Sequence, residues 1–338
     1  MQWVCFKIYV HVHNIAIGVD QLKIKDVKRV PKHMTTIGGQ ALIEGVMMKG
    51  PKDIAIAIRK PNKEIEVKKQ TLDSAVRRHK FFKLPIIRGV VGLVDAMVIG
   101  MKSLMYSAEF FGEDLEKSKF EKFLEKKFGN KAENIEIFFT MLLSLVIVIV
   151  FFMAAPTFLT NLLKKRIGNP ILLNLIEGLI RIIFFLIYII AVSKMEDVER
   201  VFQYHGAEHK TIHCYENEEE LTVENVKKYP ILHPRCGTSF LFMVLIVSIL
   251  VLSLFGWPDP LMRFVIRILM LPVIVGISYE INRVIGKSTS RCAYMVSYPG
   301  LWLQKIATTR EPDGEQIEVA IEALKGVIVE NKEEDIWK

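Results

Sequence analysis

Four long apolar stretches alternate with polar segments along the chain, at about residues 137–159, 171–193, 239–255 and 261–281. A helix needs about 20 apolar residues to cross roughly 30 Å of hydrocarbon. The pattern therefore predicts an all-α polytopic membrane protein with about four transmembrane helices. The third stretch is short, so we expect either that Phe240 and Trp257 anchor its ends or that the bilayer thins locally around it.

A fifth apolar stretch, residues 86–107, also carries the ionisable residues Arg88, Asp95 and Lys102. A central charge costs roughly 2.5 to 3.5 kcal/mol on insertion scales, which argues against a lipid-exposed span. This stretch is predicted to form an interfacial or re-entrant helix. Small residues close to one helical face would allow tight packing against a neighbour: Gly89, Gly92, Ala96 and Gly100.

The segment before these helices shows the alternation of a β-strand, because Ile54, Ile56 and Ile58 are separated by small residues. A turn follows, and then a second alternating run, which together predict a β-hairpin in a small cytosolic N-terminal region. The preceding run from residue 38 to residue 51 is rich in glycine. It is interpreted as a tight loop or strand, with substrate binding by Gln40 or Glu44 as the alternative.

The domain organisation follows from these changes in composition. Residues 1–33 differ from the rest, and Met34 is hypothesised to be the natural start of translation. The predicted segments are an upstream extension (1–33), a cytosolic strand-rich region (34–84), an interfacial or re-entrant helix with a basic linker (85–135), transmembrane helices one and two (136–193), a cytosolic His/Cys loop (194–238), transmembrane helices three and four (239–282) and a cytosolic C-terminal region (283–338).

Charge gives the topology, since the net charge of +8 is concentrated beside the apolar stretches. Residues 112–135 hold six lysines and residues 194–238 hold six lysines and arginines, whereas the turn at Trp257 holds none. The positive-inside rule therefore places both termini and the 194–238 loop in the cytosol. Lys164, Lys165 and Arg166 conflict with this assignment, but reversing it would export more basic residues. The sequence contains no stretch in which basic and aromatic residues alternate, so nothing in it indicates nucleic-acid binding.

Three of the eight histidines fall within nine residues, at His205, His209 and His213. Residues four apart advance by about 40° around a helix, so these side chains share one face. Neighbouring pairs can therefore bind one metal ion together. His205 and His213 are separated by roughly 12 Å of helix rise, too far for a single ion unless the helix breaks, with Gly206 as the candidate position.

The run His205–His209 matches the pattern H-x-x-E-H, in which two histidines hold zinc and the glutamate, here Glu208, acts as general base. A third ligand has to come from elsewhere in the chain. The candidates are His213, Glu216, His233 and Cys236. The alternative interpretation has the histidines as solvated or hydrogen-bonded residues of a cytosolic loop.

Three separated motifs resemble the YqhQ family of bacterial membrane proteins: residues 37–48, residues 204–216, and residues 233–240. The resemblance extends from about Thr35 to Val327. Members of that family are described as predicted metal-dependent enzymes with no reaction named. The resemblance implies a multi-pass protein of the bacterial cytoplasmic membrane. Residues 1–33 depart from the family pattern, which supports the late-start hypothesis.

The leading hypothesis is a membrane-embedded, metal-dependent hydrolase that uses a divalent metal, zinc in the first instance, at the cytosolic face. The alternative is a non-enzymatic membrane scaffold or assembly factor with a structural metal or a partner-binding loop. A third hypothesis is a carrier for ions or small solutes built around Asp95, Glu177 and Arg181, although the last two are four residues apart and are expected to pair. The expected partners are the bilayer, proteins of undefined class, and further copies of the chain in a homo-oligomer.

Overall fold

A computed structural model of the chain describes residues 31–72, 80–111, 127, 132–288 and 290–336. The predicted basic linker falls largely outside these residues, as do residues 1–30 of the predicted extension. The chain forms two compact units, described separately below. The first comprises residues 1–107, 193–243 and 275–338, and the second comprises residues 108–192 and 244–274.

Helices predominate among the described residues, together with one sheet. The strands are β1 (Gly38–Leu42), β2 (Gly45–Lys49), β3 (Asp53–Arg59) and β4 (Ile65–Thr71). The helices are α1 (Ile87–Ala108), α2 (Ala132–Ile149), α3 (Ala155–Leu163), α4 (Pro170–Val192), α5 (Glu196–Glu216), α6 (Val223–Lys227), α7 (Gly237–Ser253), α8 (Pro260–Lys287), α9 (Arg291–Leu303) and α10 (Gly314–Lys325). π-helical turns occur at Val150–Ala154 and Gln304–Thr308, and 3-10 turns at Lys80–Lys83 and Lys332–Asp335.

The sheet is an antiparallel meander in the order β1-β2-β3-β4. The predicted hairpin is confirmed, because β3 and β4 pair with Asp53 opposite Thr71 and Arg59 opposite Ile65. The glycine-rich run before it forms β1 and β2 and is therefore strand, which was one of the two forms expected. Helices α5 and α10 pack against the sheet through a core that includes Val46, Tyr204 and Ile317.

Sequence signals account for both helices of this core. Helix α5 begins with three acidic residues in its first turn, where the helix dipole favours negative charge. Helix α10 begins with a capping box between Asp313 and Gln316, which satisfies two free N–H groups at once. A soluble helix opening at this position was predicted, and it ends at Lys325.

Four helical segments are long and apolar enough to cross a membrane: Ile87–Ala108, Leu142–Leu163, Pro170–Val192 and Pro260–Lys287. The number agrees with the prediction, but the set differs. Helix α7 covers the predicted third span and has only 17 residues, so it belongs to the shorter apolar helices. Helix α1 takes its place because it runs for 22 residues.

Helix α1 is continuous over 22 residues and is long and apolar enough to cross a membrane, whereas its predicted interfacial or re-entrant placement stays a prediction. The Arg88 guanidinium, which counted against a span, donates hydrogen bonds to Glu280 of α8. The small-residue stripe is used in part. A Cβ atom at Gly89 would lie 2.6 Å from the Tyr279 Cβ atom, whereas a Cβ atom at Gly92 would meet nothing within 4 Å.

In the second unit, Pro156 lies at the start of α3, directly after the π-helical turn. A proline cannot donate the backbone hydrogen bond of a regular helix, which explains the irregular turn before it. The Pro272 ring lies within α8, which continues through it. Both prolines were predicted to lie within spans.

Candidate metal centre

The three histidines of α5 contact the segment that leads into α7, whereas their spacing predicted only that they share one face of the helix. Helix α5 is unbroken from Glu196 to Glu216, so the break considered at Gly206 does not occur. The glycine instead permits close packing, because a Cβ atom there would lie 2.1 Å from the Arg310 backbone oxygen. A continuous helix keeps His205 and His213 apart, and the two side chains fall in different clusters of candidate ligands.

One cluster of ligand atoms consists of His205, His209 and Cys236, whose nitrogen and sulfur atoms all lie within 4.8 Å of one another. The His205 Nε2 atom is 3.2 Å from the Cys236 Sγ atom, and the two imidazole centroids are 4.3 Å apart. Zinc bonds of about 2.0 Å to nitrogen and 2.3 Å to sulfur place neighbouring ligand atoms roughly 3.3 to 3.8 Å apart. The ligand atoms are therefore close enough together to be candidates for binding one ion.

Backbone carbonyl groups fix the tautomers of both histidines. The His205 Nδ1 atom lies 2.6 Å from the Thr308 oxygen, and the His209 Nδ1 atom lies 2.6 Å from the Ile231 oxygen. Because a carbonyl oxygen only accepts hydrogen bonds, each Nδ1 atom carries the proton and each Nε2 atom keeps its lone pair, which at His205 faces the Cys236 Sγ atom. Metal-binding histidines typically donate their other ring N–H in this way.

The electrostatics of the cluster favour the forms that bind metal. Burial lowers the pKa of His209 to about 4, so its imidazole is neutral near pH 7. Burial raises the pKa of the Cys236 thiol, whereas His209 in its protonated form and the hydrogen bonds from Thr238 lower it, and the net direction is a lowered pKa. A neutral imidazole and a thiolate are the species that coordinate zinc.

Glu208 lies next to this cluster but outside the set of three ligands. Its side chain is buried, and its Oε1 atom accepts a hydrogen bond of 2.9 Å from the Gly39 backbone N–H. Burial raises the pKa of the carboxyl group to about 7, with the Cys236 sulfur contributing in the same direction. A carboxyl group in this range can take up and release a proton near neutral pH.

Two buried polar atoms of this region, His209 Nε2 and Glu208 Oε2, have no hydrogen-bond partner among the described residues. An unsatisfied buried polar atom costs about 1 to 3 kcal/mol, so native proteins usually pair such atoms or use them with a ligand. The two unpartnered atoms are therefore candidates for contacts with a ligand: His209 Nε2 with a metal ion, and Glu208 Oε2 with a polar group beside that ion.

His213, Glu216 and His233 form a second cluster, also within 4.8 Å. Its polar atoms already have partners in the protein. The Arg235 guanidinium forms an ion pair with the Glu216 carboxylate and lies 3.5 Å from His233 Nε2. The His213 Nε2 atom lies 2.9 Å from the Leu232 oxygen. A guanidinium that contacts two of the three residues opposes binding of a second cation there.

The predicted ligands thus divide between the two clusters. Among the candidates for a third ligand, Cys236 joins His205 and His209. His213, Glu216 and His233 form the adjacent second cluster, and the ring centroids of His209 and His233 are 5.5 Å apart. Sequence reasoning missed Thr308, whose oxygen fixes His205, and Gln304, whose amide group bonds to both the N–H and the oxygen of His233. These contacts involve the backbone and a residue 71 positions away, and no sequence signal indicates them.

Glu44, considered for substrate binding, is engaged within the protein. Its carboxylate forms an ion pair with Arg200 and accepts a hydrogen bond of 3.2 Å from the Tyr204 hydroxyl. It occupies the turn between β1 and β2 with a φ angle of 50°. The Gln40 side chain lies against Gly100, where a Cβ atom would be 2.1 Å from its Oε1 atom. Both contacts support a role in packing.

The fold and site define a class of protein that contains apolar helices of membrane-spanning length and a sheet-backed region with a partly buried His/Cys cluster. The chain belongs to the family described as "Protein of unknown function (DUF1385)", whose model matches residues 84–330. It is 36% identical over 293 residues to "Uncharacterized protein YqhQ" of Bacillus subtilis (strain 168), covering 86% of this chain and 92% of that protein. The family resemblance drawn from the motifs is thereby confirmed. No solved structure matches the chain.

Proposed function

We propose that this protein is a membrane-embedded, metal-dependent hydrolase whose metal is held by His205, His209 and Cys236. The observation that carries the proposal is the pair of unpartnered buried atoms, His209 Nε2 and Glu208 Oε2. Two imidazoles and one thiolate suit zinc, and three protein ligands are the number found in catalytic zinc sites. His205 and Cys236 are only partly buried, which leaves a side for substrate to approach.

Glu208 serves in this proposal as the general base of the H-x-x-E-H pattern. Its pKa of about 7 lets the carboxylate accept a proton from water and return it to the leaving group. The Gly39 N–H holds one carboxylate oxygen in place and leaves the other free for this transfer. A divalent metal, when bound, would supply Lewis-acid polarisation of water and of the scissile group.

A structural role is the second candidate, and the position of Cys236 favours it. The cluster connects α5 to the segment before α7 and, through Thr308, to the turn after α9. A metal there would stabilise these elements without catalysis, as expected of a scaffold or assembly factor. In that case a fourth ligand would close the site.

Membrane placement is part of the proposal and rests on helix length and lysine distribution. We propose a multi-pass protein of the bacterial cytoplasmic membrane with both termini and the 194–238 loop in the cytosol. Position 220 is exposed and suits an introduced cysteine. Labelling of Glu220→Cys in a background without other cysteines, using an impermeant thiol reagent, should require permeabilised cells. Labelling in intact cells would reverse the topology and place the cluster outside.

The variant Glu208→Gln separates hydrolase from scaffold. The zinc content of purified protein would be measured beside hydrolysis of p-nitrophenyl acetate, bis-p-nitrophenyl phosphate and casein. The hydrolase predicts one zinc per chain in both proteins and activity that falls at least about 100-fold in the variant, since a general base contributes about 10² to 10⁴. The scaffold predicts no zinc-dependent turnover in either protein.

The matched control is Glu218→Gln, which removes a carboxylate two positions after the end of α5. Glu218 is exposed and contacts Lys332 at 2.7 Å, so its loss should change neither zinc content nor turnover. Equal turnover in the wild type and Glu208→Gln would contradict the role of Glu208. Loss of zinc from Glu208→Gln would make it a ligand and support the structural role.

A further inference from the structure

Three arginines of the second unit converge on one carboxylate. Glu177 of α4 accepts hydrogen bonds from Arg181 at 3.2 Å, from Arg263 at 2.6 Å and from Arg267. The Thr157 hydroxyl donates a further bond of 2.7 Å. The pairing of Glu177 with Arg181 was predicted from their spacing, whereas the two arginines of α8 were not foreseen. Glu177 is therefore paired within the protein, and the carrier hypothesis, which placed Asp95 or Glu177 on a water-filled path, stays untested.

The cluster, defined as Glu177, Arg181, Arg263 and Arg267, carries two more positive charges than negative ones. Its side chains are shielded from solvent, with exposed fractions of 2%, 13%, 6% and 12% respectively. Each guanidinium has five N–H donors. Glu177 takes one donor each from Arg181 and Arg263, and Arg267 also contacts Thr157 at 3.0 Å. The buried Arg181 Nε atom has no partner among the described residues.

A cavity of about 20 Å³ adjoins the cluster and is lined by all four of its residues. This space accommodates a group the size of a water molecule or one anionic oxygen. The Trp257 ring lies 3.6 Å from the Arg263 guanidinium carbon and belongs to the turn between α7 and α8. Glu177 follows the start of α4 by roughly 10 Å of helix rise, so the cavity lies near the ends of these helices.

Buried charges persist in proteins when they are paired, and guanidinium groups bind phosphate through parallel N–H bonds. The cluster has excess positive charge, unused donors and a cavity beside them. We propose that it binds an anion of the phosphate class, supplied by the headgroup of an acidic phospholipid or by free phosphate. An alternative explanation is that these arginines only extend towards the membrane–water interface. That explanation does not require three arginines to surround one buried carboxylate.

This site is independent of the metal proposal, because its residues belong to the second unit and the His/Cys cluster belongs to the first. Thermal unfolding of the full-length protein in a neutral detergent provides the test. The probes are short-chain phosphatidylglycerol, short-chain phosphatidylcholine and sodium phosphate, added at constant ionic strength. A ligand that binds only the folded state raises Tm in proportion to its affinity.

For the wild type we expect phosphatidylglycerol to raise Tm by at least about 4 °C at saturation, with phosphatidylcholine giving less than half of this shift. An equal shift from sodium phosphate alone would identify a soluble anion as the ligand and still support the site. No shift from either anionic probe would overturn the proposal.

Variants assign the effect to the cluster. Arg267→Gln should lose the anion-dependent shift, and Arg181→Gln provides the same measurement if that protein does not fold. The control Lys165→Gln removes an exposed charge of the same unit and should keep the full shift. Glu177→Gln should show lower Tm without anion and a larger anion-dependent shift, because it frees donors. Equal shifts in Arg267→Gln and Lys165→Gln would contradict the proposal.

Discussion

The two clusters of the histidine region contain similar residues but differ in the partners that those residues already have. Each brings three metal-binding side chains within 4.8 Å of one another, and each includes at least one histidine from α5. In the second cluster, Arg235, the Thr35 N–H and the Leu232 oxygen occupy the polar atoms of Glu216 and His213. In the first, His209 Nε2 has no partner among the described residues.

Proximity of ligand-type residues is therefore not sufficient to indicate a metal site. The informative quantity is the number of lone pairs that remain after the protein's own hydrogen bonds are counted. By this measure the cluster of His205, His209 and Cys236 can accept a cation, and the cluster of His213, Glu216 and His233 is closed by an internal cation. The following predictions test this difference, beginning with the largest effect.

Loss of a ligand should abolish stoichiometric metal binding at the first cluster. We expect Cys236→Ala and His209→Ala to reduce zinc from one equivalent per chain to less than about 0.1, since structural and catalytic zinc sites depend on every ligand. Zinc would be quantified by plasma mass spectrometry after reloading. The control Cys214→Ala removes a buried thiol from the same helix and should retain the metal. If His213→Gln lost zinc and His209→Ala retained it, the metal would bind at the second cluster and not at the first.

Arg235→Gln should destabilise the protein by about 3 to 5 kcal/mol, because it leaves the buried Glu216 carboxylate without its cation. The two side chains are 9% and 1% exposed, so solvent screens the ion pair little. Chemical denaturation of the zinc-free protein would measure the change. Arg310→Gln removes a more exposed pair with Glu199 at 4.0 Å and should cost less than about 1 kcal/mol. Equal costs would show that Arg235 does not hold the second cluster together.

The zinc-free protein should lose stability as pH falls from about 6.5 to 4. Burial lowers the pKa values of His209, His213 and His233 in the folded state, so the unfolded chain binds more protons below pH 6.5. For His209, whose pKa is about 4, the loss reaches about 3 kcal/mol. Glu208 acts in the opposite sense, since its raised pKa adds stability as pH falls from about 7 to 4.5.

The stability that Glu208 adds in acid offsets roughly the stability lost through one histidine. The other two histidines therefore leave a net loss of stability as the pH falls. Denaturation of the chelator-treated wild type and Glu208→Gln at pH 7.5, 6 and 5 would check this. The variant should show the steeper decline, because the opposing contribution is gone. Stability that does not change between pH 7.5 and 5 in both proteins would contradict neutral buried histidines.

Gly39→Ala should lower the free energy of unfolding by about 1 to 3 kcal/mol, because the added methyl group overpacks its surroundings. A Cβ atom there would lie 2.7 Å from the Met47 oxygen and 2.9 Å from the Glu208 Cδ atom. At Gly38 a Cβ atom would meet nothing within 4 Å, so Gly38→Ala is the control with little effect. Because Gly39 positions Glu208 and no ligand, the variant should retain zinc. Zinc loss in Gly39→Ala alone would show that the Glu208 region supports the ligands directly.

Local patterns in the sequence predict much of the fold. The alternation of Ile54, Ile56 and Ile58 predicts a strand, and Asp313 marks the start of α10, because these signals act between near neighbours. The ionisable residues of the stretch 86–107 led to the expectation of an interfacial or re-entrant helix, whereas the helix observed there is long and apolar enough to cross a membrane. The partner of Arg88 lies 192 residues away, and only the fold shows that its charge is paired.

The candidate site also has features that the sequence predicts and features that only the fold shows. The helical face shared by His205, His209 and His213 follows from their spacing alone. The choice of Cys236 from the possible third ligands depends on how the segment before α7 folds back on α5. Two arginines four apart in an apolar stretch, Arg263 and Arg267, are a signal that the sequence does contain, since charges within spans are functional candidates.

X-ray absorption spectroscopy of the zinc-loaded wild type tests the central claim most directly, because it counts sulfur and nitrogen neighbours of the metal. We predict one zinc per chain with one sulfur at about 2.3 Å and two imidazole nitrogens at about 2.0 Å, with the sulfur absent from any zinc that remains in Cys236→Ala. A shell of nitrogen and oxygen alone in the wild type, or no stoichiometric zinc after reloading, would contradict the assignment of His205, His209 and Cys236.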